Sequence, residues 1–446
     1  MTQETLGIAH LTRNWVNKMS RYQRSESFLT KVEKLIPLGS QTFSKSRTQY
    51  PVGISPFFID RAKGSKIWDI DGNRYIDLVS ALASITLGYS DKQVNSSIKK
   101  QLKKGVGFSL PGVLEYEVSE LLVELVPCAE MVRFGKNGSD ATSAAVRIAR
   151  AFTQRDHIAV CGYHGWQDWY IGATSRNKGV PKAVQELTHQ FSFNDLESLQ
   201  KRFDEFPNKI AAVILEPMNS AYPKDDFLEG VKRICNANGA ILIFDETITG
   251  FRYSKGGAQE LFGVIPDLAT FGKGIANGFP ISAVVGRRDL MMEMEQIFFS
   301  GTFGGELLSL AAAKSVLKRH LDGSVTQKLN LIGTDLNNRV DKLILDTGMD
   351  GILNLSGHPT WKFLNWREVN GFDVATLKTF FMQEMFEKGI LILATHNVTL
   401  AHSESDITQI AKVYSEVLGN MKSSINDGTL KNKLKVEPLQ PLFKVR

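Results

Sequence analysis

At 446 residues the chain is too long for one compact core, so two or more domains, or one large domain with terminal additions, are expected. With 43% hydrophobic and 22% charged residues, extensive disorder is excluded. A net charge of only +6, with no basic stripe interleaved with aromatics, argues against nucleic-acid binding. No apolar run nears the roughly 18 residues that a membrane-spanning helix requires. Cys128, Cys161 and Cys235 lack metal-ligand spacing and read as buried fillers in a reducing compartment, which makes the cytoplasm the expected location. The N-terminal stretch carries Arg13, Lys18, Arg21 and Arg24 without the apolar core of a secretory signal, and reads as an ordered arm.

In chain order, positions 10–35 read as an amphipathic helix that ends at Pro37-Leu38-Gly39. Runs at 67–70 and 74–77 flank Asp71-Gly72, and strand, Asp-Gly turn, strand is a strong hairpin signal. From about residue 93, helical stretches (94–103, 115–125) alternate with apolar runs at 131–134, 157–161, 210–215, 240–245, 268–271 and 282–285. That alternation predicts an α/β fold: a mostly parallel sheet covered on both faces, with ligands at the carboxyl ends of its strands. Beyond about residue 328 come a helix at 326–345, strand-like runs near Leu353 and Trp361, a helix at 373–388, a run at 390–393 and a last helix at 405–421. The expected division is 1–80 for the arm and a small-domain segment, 81–327 for the large domain, and 328–446 for a C-terminal small domain.

The chemistry gathers at the ends of the apolar runs. Lys273 stands between two glycines just after 268–271, as a lysine does when a buried strand presents it with bare backbone on either side. Such a lysine can form a Schiff base with a carbonyl. Asp245 ends the run before it, where a buried carboxylate needs a positive partner or dense hydrogen bonding. An amine and a carboxylate on neighbouring strand ends are what pyridoxal phosphate requires, the one for its aldehyde and the other for its pyridinium. Gly138 and Ser139 open a helix whose first N–H groups suit a phosphate. Tyr163, at another strand end, offers a ring to stack on the cofactor. Glu216 and Asn219 close the run before Asp245. Each feature has a plainer alternative: a solvated lysine, a turn-capping aspartate, a helix N-cap by Asn137 or Ser139, a core tyrosine. Their order and joint spacing favour the cofactor.

Over about 37–406 these residues resemble the class III pyridoxal-phosphate aminotransferases, in the branch that contains glutamate-1-semialdehyde 2,1-aminomutase. The family's Ser-Gly-Thr-Glu-Ala phosphate loop is matched by Asn137-Gly138-Ser139-Asp140-Ala141, and its DExxTGFR pattern by 245–252. The resemblance implies an aspartate-aminotransferase-like fold (PLP fold type I) with a large sheet domain and small α+β terminal domains. It makes Lys273 the Schiff-base lysine, Asp245 the partner of the pyridine nitrogen, Tyr163 the stacking ring, and Asn219 the polar neighbour of the phenolic oxygen. It further implies a homodimer with shared active sites, in which Thr302 of one subunit closes the phosphate site of the other. Thr247 stands where Val or Ile usually packs under the ring.

Other departures fall on substrate positions. Lys45 lies in the stretch where the mutase has its carboxylate-binding arginine, and lysine does not reproduce that bidentate grip. Glu306 follows the threonine loop, and His396 and Asn397 occupy a stretch that enters the mutase site. With Glu216, these four are the candidate substrate contacts. The expected activity is amino transfer from a small-molecule donor to a carbonyl acceptor by way of pyridoxamine phosphate, with Lys273 moving the proton. The alternative is the mutase reaction that gives 5-aminolevulinate. Decarboxylation or racemisation on the same scaffold ranks lower, and a non-enzymatic regulator lower still, because no attached binding module is visible.

Overall fold

The computed structural model describes residues 20–439, so the expected arm and the first part of the 10–35 helix lie outside the described residues. The described chain opens with the helix Gln23–Val32. Three antiparallel strands follow: β1 (Ile59–Lys63), β2 (Lys66–Asp69) and β3 (Arg74–Asp77). Gly72, at φ +90°, makes the turn between β2 and β3. The Asp69 carboxylate holds that turn from below by accepting from the Asn73 N–H at 2.7 Å and the Tyr75 hydroxyl at 3.0 Å.

The large sheet is built from β4 (Met131–Gly135), β5 (His157–Cys161), β6 (Thr188–Gln190), β7 (Ile210–Leu215), β8 (Ile241–Asp245), β9 (Leu268–Phe271) and β10 (Ser282–Gly286). Its order is β4-β10-β9-β8-β7-β5-β6. Only β10 runs against its neighbours, so the sheet is mostly parallel. The six apolar runs all become strands. The added edge strand β6 is too short and polar to announce itself.

Every residue of β7, β8 and β9 is buried, which is why these strands read as unbroken apolar runs rather than alternating ones. The alternation survives as a division between two faces. Ile158, Val160, Ile214 and Ile243 pack toward the helix Gly138–Thr153, while Ala159, Val213, Leu215 and Phe244 pack toward the helix Phe227–Asn238. All three cysteines are free and buried, and burial pushes their thiols up, Cys161 to about 12. Among the described residues no helix is long and apolar enough to cross a membrane.

The C-terminal segment supplies β11 (Leu353–His358), β12 (Trp361–Trp366), β13 (Ile390–Leu391) and β14 (Thr395–Asn397). Strands β11, β12 and β14 form a separate antiparallel sheet. Strand β13 instead pairs in parallel with β3, so a late piece of chain completes the N-terminal sheet.

Two features hold these parts against the large sheet. Ser80, Ala81, Leu82 and Ala83 all have positive φ (50°, 49°, 59° and 67°), one left-handed turn made without glycine. At about 1–2 kcal/mol per residue, such a turn stores roughly 4–8 kcal/mol that its surroundings must offset. Asp77 accepts from the Val79 and Ser80 N–H groups at 2.7 and 3.1 Å, and the Ser80 hydroxyl donates to the Asn397 carbonyl at 2.7 Å. The other feature is Arg252, 1% exposed, whose guanidinium donates to the carbonyls of Ala83 (3.1 Å), Thr360 (3.1 Å) and Val398 (3.2 Å). Burial lowers its pKa to about 10, so it keeps its charge at neutral pH.

Candidate active site

The register of the parallel strands decides which side chains meet. Leu215 pairs with Phe244 and Asp245 with Thr270, so β7, β8 and β9 end side by side. Glu216, Asp245 and Lys273 therefore emerge from three adjacent carboxyl ends, where open α/β sheets bind ligands. All three line one cavity of about 280 Å³, together with Gly138, Ser139, Tyr163 and Thr247. Lys273 opens a short 3-10 turn, Lys273–Ala276, with φ +41°. A left-handed backbone at a lysine is locally unfavourable, and such strain concentrates at functional positions.

Asp245 is 4% exposed and densely held. Its Oδ1 accepts from the Thr247 N–H and the Thr270 hydroxyl, both at 3.1 Å, and its Oδ2 lies 2.9 Å from His164 Nδ1. Burial alone would raise its pKa. The His164 and Thr247 bonds outweigh that and leave it below the ordinary carboxylate value, so the anion persists in the cavity floor. The other His164 nitrogen faces the Cys161 carbonyl at 3.2 Å, which fixes the ring.

The helix Gly138–Thr153 points its N-terminus at the same space. Asp140 reaches back to accept from the N–H groups of Lys136 (2.9 Å) and Asn137 (2.8 Å), which shapes the loop. The first-turn N–H groups of a helix have no intrahelical acceptor and suit an anion. Close approach here demands glycine. A Cβ on Gly138 would come within 3.0 Å of Thr247, and one on Gly165, at φ +108°, within 2.3 Å of the Ser139 hydroxyl. Thr142 ties this helix to the β5 loop through a 2.8 Å bond from its hydroxyl to the His164 carbonyl.

The other candidates fall outside the cavity lining. Asn219 does not line the cavity; its amide donates to Glu216 Oε2 at 2.8 Å, the atom that also accepts from the Tyr163 N–H at 3.0 Å. Glu306 caps the helix Leu307–His320 and holds Lys136. Lys45 and Thr302 are exposed and do not line this chain's cavity. His396 is fully buried, its nitrogens 2.9 Å from Asn337 Oδ1 and 2.7 Å from the Tyr414 hydroxyl, and burial lowers its pKa to about 3. Asn397 serves the strained turn instead, through its carbonyl on Ser80 and its N–H on Leu78. The reason is shared: 395–397 forms strand β14 rather than a loop entering the site.

The sequence alone assigns no role to His164, Thr270, Thr142, Ser84 or Lys136, all of which but Thr270 line the cavity. Thr270 was findable, because parallel pairing of β8 with β9 puts it opposite Asp245. His164 sits in the same tight Gly-Tyr-His-Gly turn as Tyr163.

These residues fit pyridoxal phosphate. The anion of Asp245 suits the pyridinium, the Gly138-Ser139 helix start suits the phosphate, and the buried Thr247 hydroxyl, without a protein partner among the described residues, leaves a polar atom for a ligand. Fold and site together define a pyridoxal-phosphate enzyme of fold type I. A family model described as aminotransferase class-III matches residues 49–409. The chain is 32% identical over 412 residues to a 3-aminobutyryl-CoA aminotransferase of Cloacimonas acidaminovorans (strain Evry), covering 90% of this chain and 98% of that one. It is 34% identical over 430 residues to a glutamate-1-semialdehyde 2,1-aminomutase of Alkaliphilus oremlandii (strain OhILAs), covering 90% and 99%. In structure it resembles the FumI protein of Sphingopyxis sp. MTA144 with its PLP, at TM-score 0.84 and 25% identity over 94% of this chain and 100% of that one. The chain belongs to the class III aminotransferase family.

Proposed function

We propose that this enzyme takes an amino group from one small molecule and delivers it to the carbonyl of another, with Lys273 and Asp245 as its catalytic residues. The observation that carries this is the pairing of Asp245 and Lys273 on adjacent parallel strand ends, in one cavity with the Gly138-Ser139 helix start. When bound, pyridoxal phosphate supplies an electrophilic carbon and an electron sink. The Lys273 amine anchors the cofactor and, once displaced by the donor, carries a proton between the two carbons that exchange it. The Asp245 carboxylate, fixed by His164 and Thr270, holds the proton on the ring nitrogen. The backbone of Gly138 and Ser139 binds the phosphate, Tyr163 covers the ring, and Glu216 orients Asn219 and the Tyr163 backbone.

The test is a half-reaction. An amino donor alone should convert one equivalent of cofactor per site to pyridoxamine phosphate, and a carbonyl acceptor should restore it. Failure of every donor in a broad screen would sink the reading. The mutase relative, at 34% identity, keeps a second reading in play. Under it, glutamate 1-semialdehyde alone would yield 5-aminolevulinate. Lys45, where the mutase has its carboxylate-binding arginine, favours the two-substrate reaction.

The enzyme acts as a homodimer in this reading. Leu110, Val113, Phe298 and Phe303 are 79%, 77%, 80% and 67% exposed, large apolar side chains that a partner subunit would cover. Thr302, exposed and next to Phe303 in the chain, would reach the partner's phosphate site. Sedimentation should give twice the chain mass, and Phe298→Asp together with Phe303→Asp should shift the protein toward monomer and weaken its hold on cofactor. Monomeric wild-type protein at micromolar concentration would overturn this. Three unbridged cysteines fit a cytoplasmic location.

A further inference from the structure

A phosphate dianion in this cavity raises a question of charge. The lysines and arginines that line the cavity are Lys136 and Lys273 alone among the described residues. In the proposed reaction Lys273 is committed to the cofactor's carbon. A helix N-terminus supplies only about half a positive charge, so within this chain most of the phosphate's charge is left uncompensated unless Lys136 takes part.

The surroundings of Lys136 suit that task. It immediately precedes Asn137, Gly138 and Ser139 and shares their cavity wall. Its Nζ donates to Glu306 Oε2 at 3.1 Å and to the Ser309 hydroxyl at 3.4 Å. An ammonium has three donors, so one remains after these two. Glu306 is itself saturated: it accepts from the N–H groups of Leu308 (2.7 Å) and Ser309 (3.1 Å) and from the Ser309 hydroxyl (2.6 Å). Burial acts to raise its pKa, but these donors and Lys136 bring it below the ordinary value, so it is a fixed anion. The pair is thus a lysine anchored from outside the cavity. Glu306 limits the rotamer freedom that a long side chain would otherwise lose on meeting a ligand.

We propose that Lys136, positioned by Glu306, is a phosphate-binding residue of the cofactor site, and that it matters most for pyridoxamine phosphate. That form has no covalent link to Lys273, so its retention depends wholly on non-covalent contacts. Glu306 then influences the site without touching substrate, as a positioning residue at the start of the helix Leu307–His320, which also packs on the turn that carries Lys273.

The inference rests on the proposed function, and a comparison of ligands separates the two. Full-length protein stripped of cofactor is titrated with pyridoxal phosphate, pyridoxamine phosphate and pyridoxal, which lacks the phosphate. In Lys136→Met the dissociation constant for pyridoxamine phosphate should rise at least tenfold, while that for pyridoxal should change less than twofold. Lys136→Arg, which keeps the charge, should stay near wild type. An equal loss for pyridoxal and the phosphorylated ligands would mean general damage to the cavity and would overturn the proposal, as would an unchanged constant for pyridoxamine phosphate. If wild-type protein binds none of the three, the broader reading fails instead.

Discussion

Lys273→Ala should lose at least about 10⁴ of the amino-transfer rate, because one substitution removes both the covalent anchor and the proton carrier. The variant should still fold. Alanine meets the same left-handed backbone at φ +41° that lysine does, and the change removes side-chain atoms from a cavity wall rather than from a packed core. Borohydride treatment of the cofactor-loaded protein should label the wild type on this residue and leave the variant unlabelled. Wild-type turnover in Lys273→Ala would falsify the assignment of the lysine.

Asp245→Asn is expected to cost about 10²–10³ in the half-reaction rate, the range seen when a preorganised electrostatic partner is neutralised in a dry site. The amide keeps the shape and one acceptor but cannot hold a proton on a ring nitrogen. Its NH₂ would face a donor now satisfied by the carboxylate, either His164 at 2.9 Å or the Thr247 and Thr270 groups at 3.1 Å. The variant also has a pH signature. The Asp245 pKa is depressed in the folded protein, so its stabilisation is complete well above the ordinary value of 3.8 and is lost as pH falls through the lower folded value. Unfolding followed across that acidic window should show a shallower loss of stability in Asp245→Asn than in wild type. Equal slopes and an unchanged rate would remove the carboxylate from the mechanism.

What was legible in the sequence was whatever depends on burial along a strand. Strands buried on both faces must be apolar throughout, so 210–215, 241–245 and 268–271 stood out, and their polar ends marked the cavity. Lys273 and Asp245 stood out for this reason, and both line the cavity. Less legible was everything set by contacts between distant segments. His396 and Asn397 looked like loop residues, yet pairing of β14 with β12 buries them, and nothing local in Thr395-His396-Asn397 reveals a partner some thirty residues earlier. The turn at Ser80–Ala83 was equally opaque, because Ser-Ala-Leu-Ala carries no glycine and its conformation is imposed by Asp77, Arg252 and the Asn397 carbonyl. Glu306 showed as a departure from the family pattern, but its bond to Lys136 spans 170 positions and has no local trace.

The Arg252 junction has a consequence for how this protein can vary. Its acceptors at Ala83, Thr360 and Val398 are main-chain carbonyls, which every amino acid possesses. The side chains at those three positions can therefore be exchanged without breaking the bonds, provided the backbone path is kept. Arg252 has no such latitude: a lysine ammonium lacks the planar fork that reaches carbonyls from separate segments at once. The tolerance for change is lopsided, concentrated on the accepting side of the contact. Terminal segments can drift in sequence while one donor, seven residues past the end of β8, keeps them in register with the cavity.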